Sequence, residues 1–257
     1  MDTFDAISGF KMYRGRLDER KLEEGHLRRI VASAQRAPSG HNSQPWEFVV
    51  VDDPELIQHI AKIIAAIFDD FLATSSHMVT WMKNFHIWLR WSREELKSRG
   101  DGIYFQRFIQ DEWEELASLT EEQAIRTRMI ELFGSNGRPY GPVVTAPCLI
   151  FTLLNSERKI PDYSADMLAL TSAGAAMQNL RLAAYELGIA VHEQSMLYDL
   201  PETRDAMSQL LGIPGHFKIV GGMRLGYPAR AAKSSLTNVR RPVETVMHCN
   251  GYRAASL

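Results

Sequence analysis

An α+β or α/β domain is the fold class this chain predicts. Short β-branched apolar runs alternate with longer stretches of helical periodicity, helices interrupt strands throughout, and neither an internal repeat nor a low-complexity linker divides the chain. From Glu24 to Gln35 the apolar positions Leu27, Ile30, Val31 and Ala34 recur at helical spacing, and Pro38 ends the pattern. Phe48 to Val51 is a strand-like run bounded by Asp52-Asp53-Pro54, so Pro54 is placed in the first turn of a helix running toward Phe68. Cys148 to Leu154, after Ala146-Pro147, is a second strand. Between the two strands Met78, Trp81, Met82, Phe85, Trp88 and Leu89 repeat at helical spacing. Arg99-Gly100-Asp101-Gly102 breaks the run, and Phe105, Phe108, Ile109, Trp113 and Leu116 resume it, which predicts a helical hairpin. Asp166 to Leu187 carries Met167, Leu170, Ala173, Met177, Leu180 and Ala184 as the clearest helix, with Gly188 at the position of a left-handed cap. Its Ala173-Gly174-Ala175-Ala176 segment has little bulk and lets another backbone approach closely. Ile189 to Val191 and Phe217 to Leu225 complete the strands.

Composition narrows the function classes. The 29 Lys+Arg against 31 Asp+Glu leave no basic excess to attract a phosphate polymer, so nucleic acid is not an expected partner. Cys148 and Cys249 are the only cysteines and form no CxxC, which argues against a disulfide framework or a zinc site and fits a reducing cytoplasm. No stretch approaches the ~18 apolar residues of a membrane span, and the N-terminus lacks a basic region followed by an apolar one. The expectation is a soluble cytoplasmic protein of one domain over residues 1–257, carrying a helical insertion at about 74–140.

Chemistry concentrates in a few segments. Ala37-Pro38-Ser39-Gly40-His41-Asn42-Ser43-Gln44-Pro45-Trp46 sets small, polar, backbone-exposing residues between a helix and a strand, suited to gripping a cofactor through main-chain groups. The same residue types also build ordinary turns. Trp46 is expected in the core. Lys11-Met12-Tyr13-Arg14-Gly15-Arg16 and Asn238-Val239-Arg240-Arg241-Pro242-Val243-Glu244 are basic, and each by itself is also readable as a solvated surface segment. HExxH, paired-Cys and P-loop motifs are missing. Gly221-Gly222-Met223-Arg224-Leu225-Gly226 is not a dinucleotide fingerprint, because Pro228 follows where a helix should open.

Taken together, the Pro38-to-Trp46 string and the two basic segments resemble the FMN-dependent nitroreductase family, over the N-terminal third and over Asp166 to Tyr252. The resemblance implies an α+β three-layer fold, a central mixed and mainly antiparallel sheet flanked by helices, and an intertwined homodimer with two FMN sites at the subunit interface. It implies a phosphate clamp from Lys11, Arg14 and Arg16 with Arg240 and Arg241, although Tyr13 stands where a Ser is expected and Asn238 where a Lys or Arg is common. Pro38, Ser39, Gly40, Asn42 and Gln44 would serve the ribityl chain and pyrimidine edge, while His192, Glu193 and Gln194 would pass beside the ring with an N–H toward N5. The isoalloxazine carries the redox chemistry and no metal is implied; His192 is the one side chain considered as a proton donor. The implied activity is ping-pong transfer from NADH or NADPH to a small electron-poor acceptor such as a nitroaromatic or quinone. A specialised relative (a reductive dehalogenase, a biosynthetic oxidase or a flavin-destroying enzyme), a flavin-binding redox sensor and a cofactor-free structural dimer are the alternatives. The resemblance does not extend to the helical tract, whose Phe105 and Trp113 are candidates for the acceptor pocket or for assembly contacts.

Overall fold

A computed structural model describes residues 2–13, 15–75, 121–133, 143, 145–158, 165–229, 243 and 246–252. The chain divides into two compact units, Met1–Asp69 with Arg138–Ser234, and Asp70–Gly137 with Ser235–Leu257. The first holds a four-stranded sheet of β1 (Trp46–Val51), β2 (Cys148–Asn155), β3 (Ala190–Glu193) and β4 (Phe217–Gly226), in the order β1-β2-β4-β3. Each pairing is antiparallel. The described helices are α1 (Thr3–Gly9), α2 (Glu24–Ala34), α3 (Pro54–Thr74), α4 (Glu122–Phe133), α5 (Ala165–Glu186) and α6 (Pro201–Leu210). The fold is α+β, and α4 lies in the second unit.

Burial explains why β2 reads as an unbroken apolar run. Every one of its residues is buried, because helices cover both faces of the sheet. On one face Cys148 and Ile150 pack with Trp46, Met223 and Leu225 against Ile30 of α2 and Met177 and Leu180 of α5. On the other, Leu149, Phe151 and Leu153 pack with Val51 and Ile219 against Ile57, Ile60 and Ile64 of α3 and Met207 of α6. The alternation is the period of a strand, and burying each of these large side chains contributes about 1.5–3 kcal/mol.

Local signals set the element ends. Asp53 Oδ1 accepts from the Glu55 N–H at 2.9 Å and Pro54 takes the first helical position, so α3 starts as the sequence predicts. It continues past Phe68 to Thr74. Gly188, at φ 69°, closes α5: its N–H donates to Tyr185 O at 3.0 Å and that of Ile189 to Ala184 O at 2.9 Å, a Schellman pattern.

In β4, Thr152 of β2 faces Gly221 while Leu153 faces Ile219, which leaves Val220 as a bulge. Gly221 and Gly222 then lie against opposite layers. A Cβ on Gly221 would sit 2.5 Å from the Met177 methyl, and one on Gly222 would sit 2.8 Å from the Leu197 Cβ. Close packing accounts for this Gly-Gly pair.

Candidate functional site

The N-terminal basic segment is bound to the outer edge of β3 at Tyr13 and to the residues that follow β4 at Arg16 to Asp18. The Tyr13 N–H donates to Val191 O at 2.9 Å, Ala229 N–H to Arg16 O at 3.0 Å, and Asp18 N–H to Tyr227 O at 2.8 Å. Lys11 and Arg16 are exposed, and Arg16 makes a solvated pair with Glu19 at 3.6 Å. The Tyr13 hydroxyl donates to Arg16 O at 3.0 Å. Its ring lies over Gly15, where a Cβ would come within 2.7 Å of it. Burial raises its pKa, and the nearby Arg224 opposes the rise. Where the resemblance expects a serine, this phenol therefore ties the segment to itself.

The strand edge exposes a donor. Because the Gln194 N–H points inward to Gly222 O at 2.8 Å and Val191 O points outward to Tyr13, backbone alternation turns the Glu193 N–H outward, away from β4. The Glu193 carboxylate lies on the α5 side, paired with Arg181 and accepting from the Tyr198 hydroxyl at 2.8 Å. Burial, followed by that hydrogen bond, pushes the Tyr198 pKa well above the usual phenol range and keeps it a neutral donor.

On the opposite face, His192 stands across from Arg224 in the ladder. Arg224 is 1% exposed. It donates through Nε to His192 Nδ1 at 3.2 Å, and through Nη2 to Gly15 O at 2.9 Å and Tyr13 O at 3.3 Å. Desolvation lowers its pKa to about 10, which leaves it a cation at neutral pH. The buried Gln194 amide also lies 2.7 Å from His192 Nδ1. With both donors on Nδ1, the ring proton is assigned to Nε2. The side chains of Glu193 and Gln194 are thus engaged within the protein, leaving the edge backbone as their contribution to a ligand.

The loop before β1 adopts an unusual backbone. His41, Asn42 and Gln44 have φ of 52°, 54° and 44°, the left-handed region that non-glycine residues seldom enter. Ser39 Oγ accepts from the Gln44 N–H at 3.0 Å, and Gln44 Nε2 donates to Asn42 Oδ1 at 3.2 Å. Pro38, Asn42 and Gln44 are exposed, Ser39 and Gly40 half-buried, and Trp46 lies in the core.

One chain does not bring the two groups together. The loop enters β1 at the Trp46–Leu154 end of the first strand, while His192 and Glu193 lie on the last strand, opposite Arg224 and Met223. Strand spacing of ~4.8 Å and a rise of ~3.3 Å per residue put them about 20 Å apart. Arg14, Arg240, Arg241, Phe105 and Trp113 lie outside the described residues. Sequence reasoning missed Arg224, Arg181 and Tyr198; a lone arginine inside the apolar run of β4 was the available signal for the first.

The fold is shared with known oxidoreductases. The nitroreductase family profile matches residues 11–227, and the chain belongs to that family. It is 25% identical over 248 residues to 4-nitrobenzoate reductase of Nocardioides sp., covering 95% of this chain and 88% of that protein. With iodotyrosine deiodinase 1 of Pongo abelii it shares 24% over 226 residues, 85% of this chain but 58% of that protein's length. Similar solved folds include nitroreductase A from Vibrio parahaemolyticus, with TM-score 0.61, 17% identity, and coverage of 100% of this chain and 79% of that one. Another is the NADPH:FMN oxidoreductase of Vibrio harveyi complexed with NAD+, with TM-score 0.61, 15% identity, and coverage of 99% and 79%.

Proposed function

We propose that the protein is an FMN-dependent NAD(P)H oxidoreductase that reduces an electron-poor small molecule, a nitroaromatic or a quinone, as a homodimer holding flavin between its subunits. The observation that carries this reading is the division of the donors between opposite edges of one sheet. Pyrimidine-edge donors at Asn42 and Gln44 and a ring donor at the Glu193 N–H serve one isoalloxazine only if two chains contribute. The second chain has a surface to meet. Met167 (63% exposed) and Leu170 (51%) share a face of α5 with Gly174, which has nothing within 4 Å of its Cβ position.

The donor set suits FMN. Lys11 and Arg16 are exposed cations suited to a phosphate, and Ser39 to Gln44 offer backbone and amide groups for a polyol and a pyrimidine edge; Arg14, Arg240 and Arg241 are assigned to the phosphate on sequence grounds alone. The outward Glu193 N–H is held rigid by strand pairing and is the donor we assign to the ring's N5 edge. Bound FMN would supply hydride acceptance from NADH or NADPH and onward transfer to the acceptor in a ping-pong cycle. The chain's own work is to bind, orient and shield. His192, with its proton on Nε2, is the candidate proton donor at this edge. Phe105 and Trp113 are proposed for the acceptor pocket on sequence grounds.

A second reading, reductive dehalogenation of a haloaromatic acceptor, is favoured by the match to iodotyrosine deiodinase 1. Turnover of nitroaromatic, quinone and iodophenol acceptors under one reductant separates the two. The cofactor reading is tested by denaturing the purified protein and chromatographing the supernatant. FMN is expected; FAD, or no flavin even after reconstitution with FMN, would overturn it.

A further inference from the structure

Arg224 joins two parts of the proposed site that lie far apart in the sequence. Its guanidinium reaches His192 on β3 and the carbonyls of Tyr13 and Gly15 in the basic segment, with acceptors at 2.9 to 3.3 Å. A buried arginine amid apolar β4 neighbours is costly to desolvate, and sheet pairing alone does not require it. The planar fork spreads its donors over three nitrogens and reaches separated acceptors from Nε and Nη2 at once, whereas a lysine ammonium presents all its donors from one nitrogen.

We infer that Arg224 is a positioning residue that fixes the segment carrying Lys11 and Arg16 relative to the ring-edge strand β3, and thereby sets the protein's preference for a phosphorylated flavin. The inference rests on the FMN reading above. Other ties hold the described part of the segment: the backbone bonds Tyr13 N–H to Val191 O, Ala229 N–H to Arg16 O and Asp18 N–H to Tyr227 O, and the buried Leu17 side chain. These remain when Arg224 changes, and so does the pairing of β3 with β4. Loss of the fork therefore loosens the middle of the segment while leaving the strand edge in place. Phosphate binding should suffer and ring binding should not. Riboflavin, which has the ring and polyol but no phosphate, separates the two.

The test measures FMN and riboflavin affinities by flavin fluorescence quenching for the full chain and for Arg224→Lys, His192→Leu and His192→Asn, with thermal unfolding of each. Arg224→Lys keeps the charge and loses the fork. His192→Leu removes Nδ1, the acceptor of the Arg224 Nε–H, and His192→Asn restores an acceptor near that position. The expected result is a wild-type preference for FMN that falls about tenfold in Arg224→Lys and in His192→Leu and returns in His192→Asn. Should Arg224→Lys fail to fold, the His192 pair decides. If the wild type prefers FMN and the variants keep that preference, weaken both flavins equally, or show no rescue by asparagine, the inference falls while the function stands. A wild-type chain with no preference for FMN over riboflavin overturns both.

Discussion

Gly222 shows how tightly one residue position is specified. It lies on an interior strand, and the atom its Cβ would meet is the Leu197 Cβ at 2.8 Å, close to the backbone and unable to swing aside. Gly222→Ala should lower stability by about 1–3 kcal/mol, read as a shift in denaturant midpoint. Gly221→Ala should cost less, since its neighbour is the flexible end of Met177. Equal effects would show that crowding at Leu197 is not what fixes glycine there. Cys148 makes a second prediction. Burial, assisted by Asp52, pushes its thiol from 9.0 to about 12, so the folded state holds it neutral. That contribution to stability is complete below pH 9, where the unfolded thiol is also neutral, and is lost as pH rises from 9 toward 12. At about pH 8, a thiol reagent should modify exposed Cys249 in the native protein and reach buried Cys148 only after unfolding. Native labelling of both thiols would contradict this account of the core.

Among the elements, α5 was the most legible and α6 the least. The helix and the glycine cap at Gly188 follow from local chemistry and lie where the sequence predicts, with Ala173, Met177, Leu180 and Ala184 buried, but Met167 and Leu170, expected on the same side, are exposed. The helix α6 buries only Thr203 and Met207, so its pattern was too weak to stand out, and α1 buries nothing. β3 runs on through His192 and Glu193, polar residues with no strand signature, because β4 supplies their partners. Met167, Leu170 and Gly174 define the α5 face proposed as the subunit interface. Leu170→Glu should convert a dimer to monomers in sedimentation, and flavin should be released with it. A variant that stays dimeric would move the interface elsewhere.

For the whole molecule, the sequence identified the groups of the proposed site but not their distribution in space. The Pro38-to-Trp46 string and the Lys11-to-Arg16 segment stand out as motifs, yet their separation depends on the strand order β1-β2-β4-β3. That order is a long-range property, which no local pattern encodes. The partners of Arg224 were illegible for the same reason: they lie 32, 209 and 211 positions away. The central claim, that this chain binds FMN and accepts electrons from a nicotinamide, is tested most directly by the visible spectrum of the purified protein, recorded anaerobically before and after adding NADH or NADPH. A flavin spectrum that bleaches on reduction and returns on adding a quinone or nitroaromatic is the predicted result. A colourless protein that ignores added FMN, or a yellow one whose spectrum neither nicotinamide changes, would contradict the account.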